Sequence, residues 1–191
     1  MTGLVVNDML YIMRHGKTEW NELHKLQGRT DIPLNENGRS MAKAAHDEYM
    51  NIHFDLCFTS PLKRATETAE IVLRGRDIPI ITDDRLAEMS FGAYEGLENS
   101  FQIPDCPINA LFKDPASYTE SVGGVESFEE LFARIDSFLS DVVLADAYLR
   151  KDILIVGHGA FNSAFICRLK QLPISALWSS GVEQCKLLRL L

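Results

Sequence analysis

Short runs of consecutive apolar residues alternate along this chain with longer stretches in which apolar residues recur at helical spacing. Leu10–Met13, Leu56–Phe58, Ile78–Ile81 and Ile153–Val156 are of the first kind. Unbroken runs of this length suit strands covered on both faces. In 36–50 the spacing of Met41, Ala44, Ala45 and Tyr49 predicts an amphipathic helix. A second helix is expected from Pro61, capped by Ser60 and carrying Ala65, Thr68, Ala69, Val72 and Leu73 on its apolar face. Ser127 and Glu130 have capping-box spacing and open a third helix reaching about Val143. Asn162–Leu169 predicts a fourth, and Cys185–Leu191 alternates weakly enough for a final strand. Residues 25–37 read as an irregular loop. This rhythm of short buried strands and longer helices predicts one three-layer α/β domain over 1–191.

Between about 89 and 123 the periodicity fades. Aromatic residues, Gly92, Gly96, Pro104, Pro107 and Pro115 indicate a long excursion with at most short helices. Long structured loops of this kind often carry function. Phe91, Tyr94, Phe101, Phe112 and Tyr118 could pack an organic group there, though each must also bury itself to hold the segment together.

Composition narrows the picture modestly. With 191 residues and 46% hydrophobic content, the chain can bury a substantial core. A formal net charge of -8 disfavours nucleic acid and anionic membranes as partners, but a local group of arginines can still hold a small anion. The opening residues MTGLVVNDMLYIM show no basic leader and too short an apolar run to span a bilayer. Cys57, Cys106, Cys167 and Cys185 are scattered with no CxxC pair, so they read as thiols of a cytoplasmic protein.

Candidate chemistry lies at strand ends. Arg14-His15-Gly16, Thr59-Ser60-Pro61 and Gly157-His158-Gly159 each follow an apolar run. In a mostly parallel sheet those ends share the rim where ligands sit. By itself His15 could be a nucleophile, a metal ligand, an acid or base, or a surface residue. His158 repeats its context, whereas His46 sits inside a helix and reads as solvated. Two histidines without a convincing third ligand argue only weakly for zinc. Arg14 and Arg64 offer guanidinium forks suited to phosphate oxygens; the plain alternative for Arg64 is an exposed pair with Glu67. Glu88, between apolar Leu86-Ala87 and Met89, has a partly desolvated setting that would suit a general acid. No GxxxxGK[ST] phosphate loop is present. These residues together point to histidine chemistry on an anion.

Five segments in order, YIMRHGKTEWNELHKLQGRTDIPLNENG, TSPLKRATETAE, RLAEMSFGAYEG, GGVESFEELFARI and VGHGAFN, resemble the histidine phosphatase superfamily, also called the phosphoglycerate-mutase-like family. The resemblance implies an α/β/α core with a mixed, mainly parallel sheet and no metal or other cofactor. It implies that His15 becomes phosphorylated, that Arg14, Arg64 and His158 complete the phosphate pocket, and that Glu88 donates a proton to the leaving group. Asn21, Gln27 and Gly28 fall where the family holds phosphate or orients substrate, and Gly159 permits close backbone approach. Lys17 departs from the acidic residue or glutamine common after RHG; it either attracts a second anionic group or faces solvent. The implied substrate is a small phosphomonoester, with inorganic phosphate as product. A chain ending near its last strand has little material for a closing tail, which favours a phosphatase over a cofactor-dependent mutase. A degenerate binding protein that keeps the fold is the remaining alternative.

Overall fold

The computed structural model describes residues 9–118 and 121–191; the opening residues 1–8, read above for a leader, lie outside that range. Strands β1 (Leu10–Arg14), β2 (Leu56–Thr59), β3 (Ile80–Thr82), β4 (Ile153–Gly157) and β5 (Leu187–Arg189) form one sheet in the order β3-β2-β4-β1-β5. All neighbouring pairs are parallel except β1 with β5, so the sheet is mixed and mainly parallel. Register places Leu10 opposite Ile153 and Arg14 opposite Gly157, while Leu56 also faces Ile153 from the other side.

Successive residues of a strand point to opposite faces. Leu10, Ile12, Leu56, Phe58, Ile153 and Ile155 therefore join one core, and Met13, Cys57, Leu154 and Val156 another. Helices α5 (Phe128–Phe138) and α6 (Gly159–Leu169) close the first face. Helices α2 (Glu36–Tyr49) and α3 (Lys63–Val72) close the second, giving three layers. Two shorter helices, α1 (Glu19–Glu22) and α4 (Asn109–Lys113), lie in the connections. The fold class expected from the sequence is the one found.

Several local readings need correction. On α2, Met41, Ala45 and Tyr49 pack toward the core as expected and are joined there by Gly38 and Ala42, whereas Ala44 is exposed. His46 is not simply solvated; its Nδ1 meets the Val72 carbonyl at 2.9 Å, bridging α2 to α3. Ser60 does not cap α3, whose first residue is Lys63 after Leu62; its hydroxyl accepts from the Leu62 N–H at 3.3 Å and is otherwise occupied in the site. The third strand is an exposed sheet edge rather than a buried run. By contrast, Ser127 and Glu130 form the reciprocal capping box at the start of α5, which continues in one wider turn over Leu139–Val143. Among the described residues, no helix is long and apolar enough to cross a membrane, and the four cysteines are free.

Candidate active site

The ends of β2, β4 and β1 are adjacent, and they carry Ser60, His158 and His15 respectively. Backbone bonds continue the pairing past the strands: His15 N–H donates to the Gly157 carbonyl at 3.0 Å, and Ser60 N–H to the Val156 carbonyl at 3.1 Å. Residues 143 positions apart in sequence thus stand side by side, with the His15 and His158 rings 5.1 Å apart between centroids and inclined at 60°.

His15 is 2% exposed, and its Nδ1–H donates to the Gly16 carbonyl at 2.6 Å. That bond places the ring proton on Nδ1 and leaves the Nε2 lone pair free. Burial drives the His15 pKa well below the ordinary histidine range, and the positive charges of Arg64 and Arg14 push it further down. His158 is lowered well below that range too, first by burial and then by Arg64, His15 and Arg14. Both rings are therefore neutral at pH 7. His158 Nε2 meets Ser60 Oγ at 2.7 Å, and its backbone N–H donates to Asn162 Oδ1 at 3.1 Å. Asn162 also donates to the Met13 carbonyl at 3.1 Å, tying the start of α6 to β1. Thr68, on α3, accepts the Gly16 N–H at 3.1 Å and so fixes the turn after His15.

Arg64 is fully buried, which excludes the exposed pair with Glu67; that carboxylate binds Arg39 at 2.6 Å instead. The Arg64 guanidinium donates to the carbonyls of Gly28 (2.7 Å) and Thr30 (2.9 Å), securing the loop after α1. Glu95 holds the same loop from the excursion, accepting from the N–H groups of Arg29 and Thr30 at 2.9 Å each. Gly28 has φ +55, and an added Cβ would lie 2.1 Å from Glu95 Oε1, so only glycine fits this tethered turn. Burial lowers the pKa of both Arg14 and Arg64, while Glu88 opposes the shift. Arg14 Nε, Arg64 Nε and His158 Nδ1 are buried polar atoms with no hydrogen-bond partner among the described residues. Such atoms are costly unless a ligand satisfies them.

Glu88 is buried at the start of α6. Its Oε1 accepts from the N–H groups of Met89 (2.9 Å) and Phe161 (2.8 Å), and its Oε2 from Ala160 (3.2 Å). The carboxyl thus occupies the N-terminal end of a helix, where peptide N–H groups are otherwise unpaired. The setting is buried, as the sequence indicated, but its donors are peptide groups as well as apolar walls.

These side chains border a cavity of about 340 Å³ lined by Arg14, His15, Arg64 and Glu88. Asn21, Gln27, Gly28 and Gly159 line it as well. Thr18 Oγ donates to Gln27 Oε1 at 2.9 Å, which leaves the Gln27 amide donors for the cavity. A Cβ on Gly159 would stand 3.3 Å from the Arg14 guanidinium carbon, a tight approach that glycine relieves. Two residues singled out from sequence lie beside this cavity: the buried His158 ring stands against the His15 ring, and Lys17 lines a neighbouring cleft. Phe91 and Phe112 do form a wall, whereas Tyr94 and Tyr118 pack against the core. Sequence reasoning missed Trp178 and Val182, which complete that wall from the segment after α6; Trp178 Nε1 donates to the Leu111 carbonyl at 3.0 Å. Nothing local in that segment marks it. Ser60, Thr68, Glu95 and Asn162 were legible only as caps, helix positions or loop acids. Among the described residues no cluster of three or more histidine, cysteine or acidic side chains is placed to hold a metal.

Comparison with known proteins shows the family. A family model described as the histidine phosphatase superfamily (branch 1) matches residues 10–191. An uncharacterized phosphatase, PhoE of Bacillus subtilis, is 35% identical over 158 residues, covering 83% of this chain and 75% of that protein. A 2,3-bisphosphoglycerate-dependent phosphoglycerate mutase of Cytophaga hutchinsonii is 32% identical over 166 residues, covering 86% and 78%. The solved structure of Bacillus stearothermophilus YhfR superposes with a TM-score of 0.84 at 31% identity, covering 95% of this chain and 89% of that one.

Proposed function

This chain belongs to the histidine phosphatase superfamily and is an enzyme of the phosphatase kind, and from that premise we propose that it hydrolyses small phosphomonoesters through a phosphohistidine formed on His15. The observation that carries the reading is the His15 ring: neutral, buried, its Nδ1 proton committed to Gly16, and its Nε2 free beside two arginines. An imidazole so fixed is an activated nucleophile without needing a separate base.

In the first step Nε2 attacks phosphorus, the N–P bond forms and the ester P–O bond breaks. Arg14 and Arg64 face the charge that develops on the equatorial oxygens, and their buried Nε groups gain acceptors there. Glu88 gives a proton to the departing oxygen; Oε2, with one N–H donor against two on Oε1, is the freer atom to carry it. In the second step water attacks phosphorus, Glu88 takes its proton, and inorganic phosphate leaves as the N–P bond breaks. A mutase differs only in the acceptor, a second hydroxyl of the bound substrate in place of water. The mutase among the relatives keeps that reading as the second one.

Phosphate release from a panel of phosphomonoesters, with rapid alkaline quenching, tests the proposal. An acid-labile phosphoryl group should appear on His15 during turnover, and His15→Ala should abolish both adduct and turnover. A fully active His15→Ala protein would refute the nucleophile. Including phosphoglycerates with and without a bisphosphorylated activator separates hydrolysis from mutase activity.

A further inference from the structure

Glu126, just before the α5 cap, is a carboxylate that the phosphoryl chemistry does not use, yet it is only 8% exposed. The Arg134 guanidinium grips it with two bonds, Nε to Oε1 at 2.7 Å and Nη2 to Oε2 at 3.0 Å. Arg29, from the loop after α1, donates to Oε1 at 3.1 Å, and the Ser90 N–H to Oε2 at 3.2 Å. A buried ion cluster of this kind gives back in desolvation much of what its charges gain, and apolar side chains often hold elements together as well. What a forked, fully bonded carboxylate adds is a fixed geometry.

The geometry fixed here is that of Glu88. Residues 85–90 are held at four backbone points. Arg134 Nη1 donates to the Arg85 carbonyl, and Arg29 Nε to the Glu88 carbonyl at 3.4 Å. At Ser90 the N–H meets the Glu126 carboxylate, and the carbonyl accepts from the Glu126 N–H at 2.9 Å. Arg134 also lies over the Phe161 ring, 5.4 Å from its centroid, and the Phe161 N–H is one of the donors to Glu88 Oε1. Arg29 follows Gly28, whose carbonyl takes the Arg64 guanidinium. One connected path therefore runs from Arg64 through that loop and Arg29 to the backbone of the proton donor. Arg29, Glu126 and Arg134 line a different cleft, of about 860 Å³, so they reach the reaction through the backbone they hold.

We propose that Glu126, bonded by Arg29 and Arg134, is a positioning residue for proton donation by Glu88, setting the distance of the acid from the ester oxygen. The inference rests on the phosphatase reading and on Glu88 as its acid. Proton transfer needs hydrogen-bond reach, and a displacement of about 1 Å can cost ~100-fold in rate. Loosening the clamp should therefore slow a reaction that needs the proton and spare one that does not.

The test measures phosphohistidine formation by rapid quench from an unbranched alkyl phosphate and from 4-nitrophenyl phosphate, whose leaving group needs little proton assistance. Glu126→Gln puts an amide N–H2 where an arginine donor now finds an oxygen. It should slow the alkyl reaction about tenfold or more, and the aryl reaction less than about twofold. Added to Glu88→Gln, the same change should have almost no further effect on the alkyl rate, because the group it positions is gone. Arg29→Met, at a side chain 50% exposed, carries the same comparison if Glu126→Gln does not fold. Equal losses on both substrates, an unchanged alkyl rate, or a full second loss on top of Glu88→Gln overturns the positioning role. Phosphohistidine still forming on His15 then leaves the phosphatase reading standing. No phosphohistidine and no phosphate release from either substrate in the unaltered protein overturns both.

Discussion

Glu88 and Ser60 show how much of the chemistry turns on single atoms. If Glu88 donates the proton, its loss should matter most where the leaving group is poor. Glu88→Gln should slow hydrolysis of an alkyl phosphate by ~100-fold or more, but cost far less in the pre-steady-state burst from an aryl phosphate, whose phenolate needs little help. Equal burst losses on both substrates, with His15 still phosphorylated, would assign Glu88 to holding the start of α6 instead. Ser60 acts one step back. Its hydroxyl accepts from Leu62 N–H and lies 2.7 Å from His158 Nε2, so donating its own proton there leaves the His158 proton on Nδ1, the atom without a partner among the described residues. Ser60→Ala frees the tautomer. Nitrogen shifts of His158 should report a mixed population, and kcat should fall by about tenfold. An unchanged His158 spectrum would remove Ser60 from the site's proton arrangement. At this scale the sequence was informative about type: strand-end histidines and arginines read as an anion site. It was silent on Ser60 and Glu95, because serine and glutamate fit caps and loops equally well.

Elements set the spacing of these atoms. Helix α2 crosses the turn after His15 at backbone contact, and a Cβ on Gly38 would lie 2.0 Å from the Lys17 carbonyl oxygen. On the other side of the crossing a Cβ on Gly16 would stand 2.6 Å from the Gly38 carbonyl. Gly38→Ala, a favourable change by helix propensity alone, should here destabilise the protein by about 1–3 kcal/mol through overpacking. It should also lower kcat, since the displaced turn carries His15. Urea denaturation and turnover of one purified variant check both; a variant as stable and active as the parent would show that the crossing relaxes freely. Apolar spacing predicted α2 but missed this contact, which depends on a partner twenty-one positions away. The α5 capping box, a purely local device, was readable in full.

For the whole molecule, pH dependence follows from the two buried histidines. His15 and His158 have folded pKa values well below the ordinary range, with burial as the first cause. The unfolded chain therefore binds protons more readily between the folded and unfolded pKa values, and stability rises with pH there. This contribution is complete above the unfolded value of about 6.5 and is lost as pH falls below it. Unfolding free energy should be nearly flat from about pH 8 to 7, then decline with a slope of up to ~1.4 kcal/mol per pH unit for each histidine. Asp55, Asp83 and Glu48, lowered by their hydrogen bonds against desolvation, give stability that persists until pH falls to the carboxylate range. They therefore do not obscure the window. Stability that stays flat down to about pH 5 would mean that these imidazoles take up protons in the fold as easily as out of it.

What the sequence alone determined was whatever depends on neighbours along the chain. Apolar runs of three or four residues made strands, Ser127 with Glu130 made a cap, and the RHG and GHG segments announced their chemistry wherever the fold would put them. The parallel sheet then brought three strand ends together, as expected, because ordering strands in register puts every carboxyl end on one edge. Tertiary structure decided what depends on distance through space. It turned Arg64 inward onto Gly28 and Thr30, set Glu88 against the peptide N–H groups of α6, and put Lys17, which the sequence left between a second anionic group and solvent, on the wall of the cleft beside the phosphate cavity. It also supplied Trp178 from a segment with no pattern of its own. A side chain's partners are fixed by packing between elements, and neither spacing nor composition carries that information.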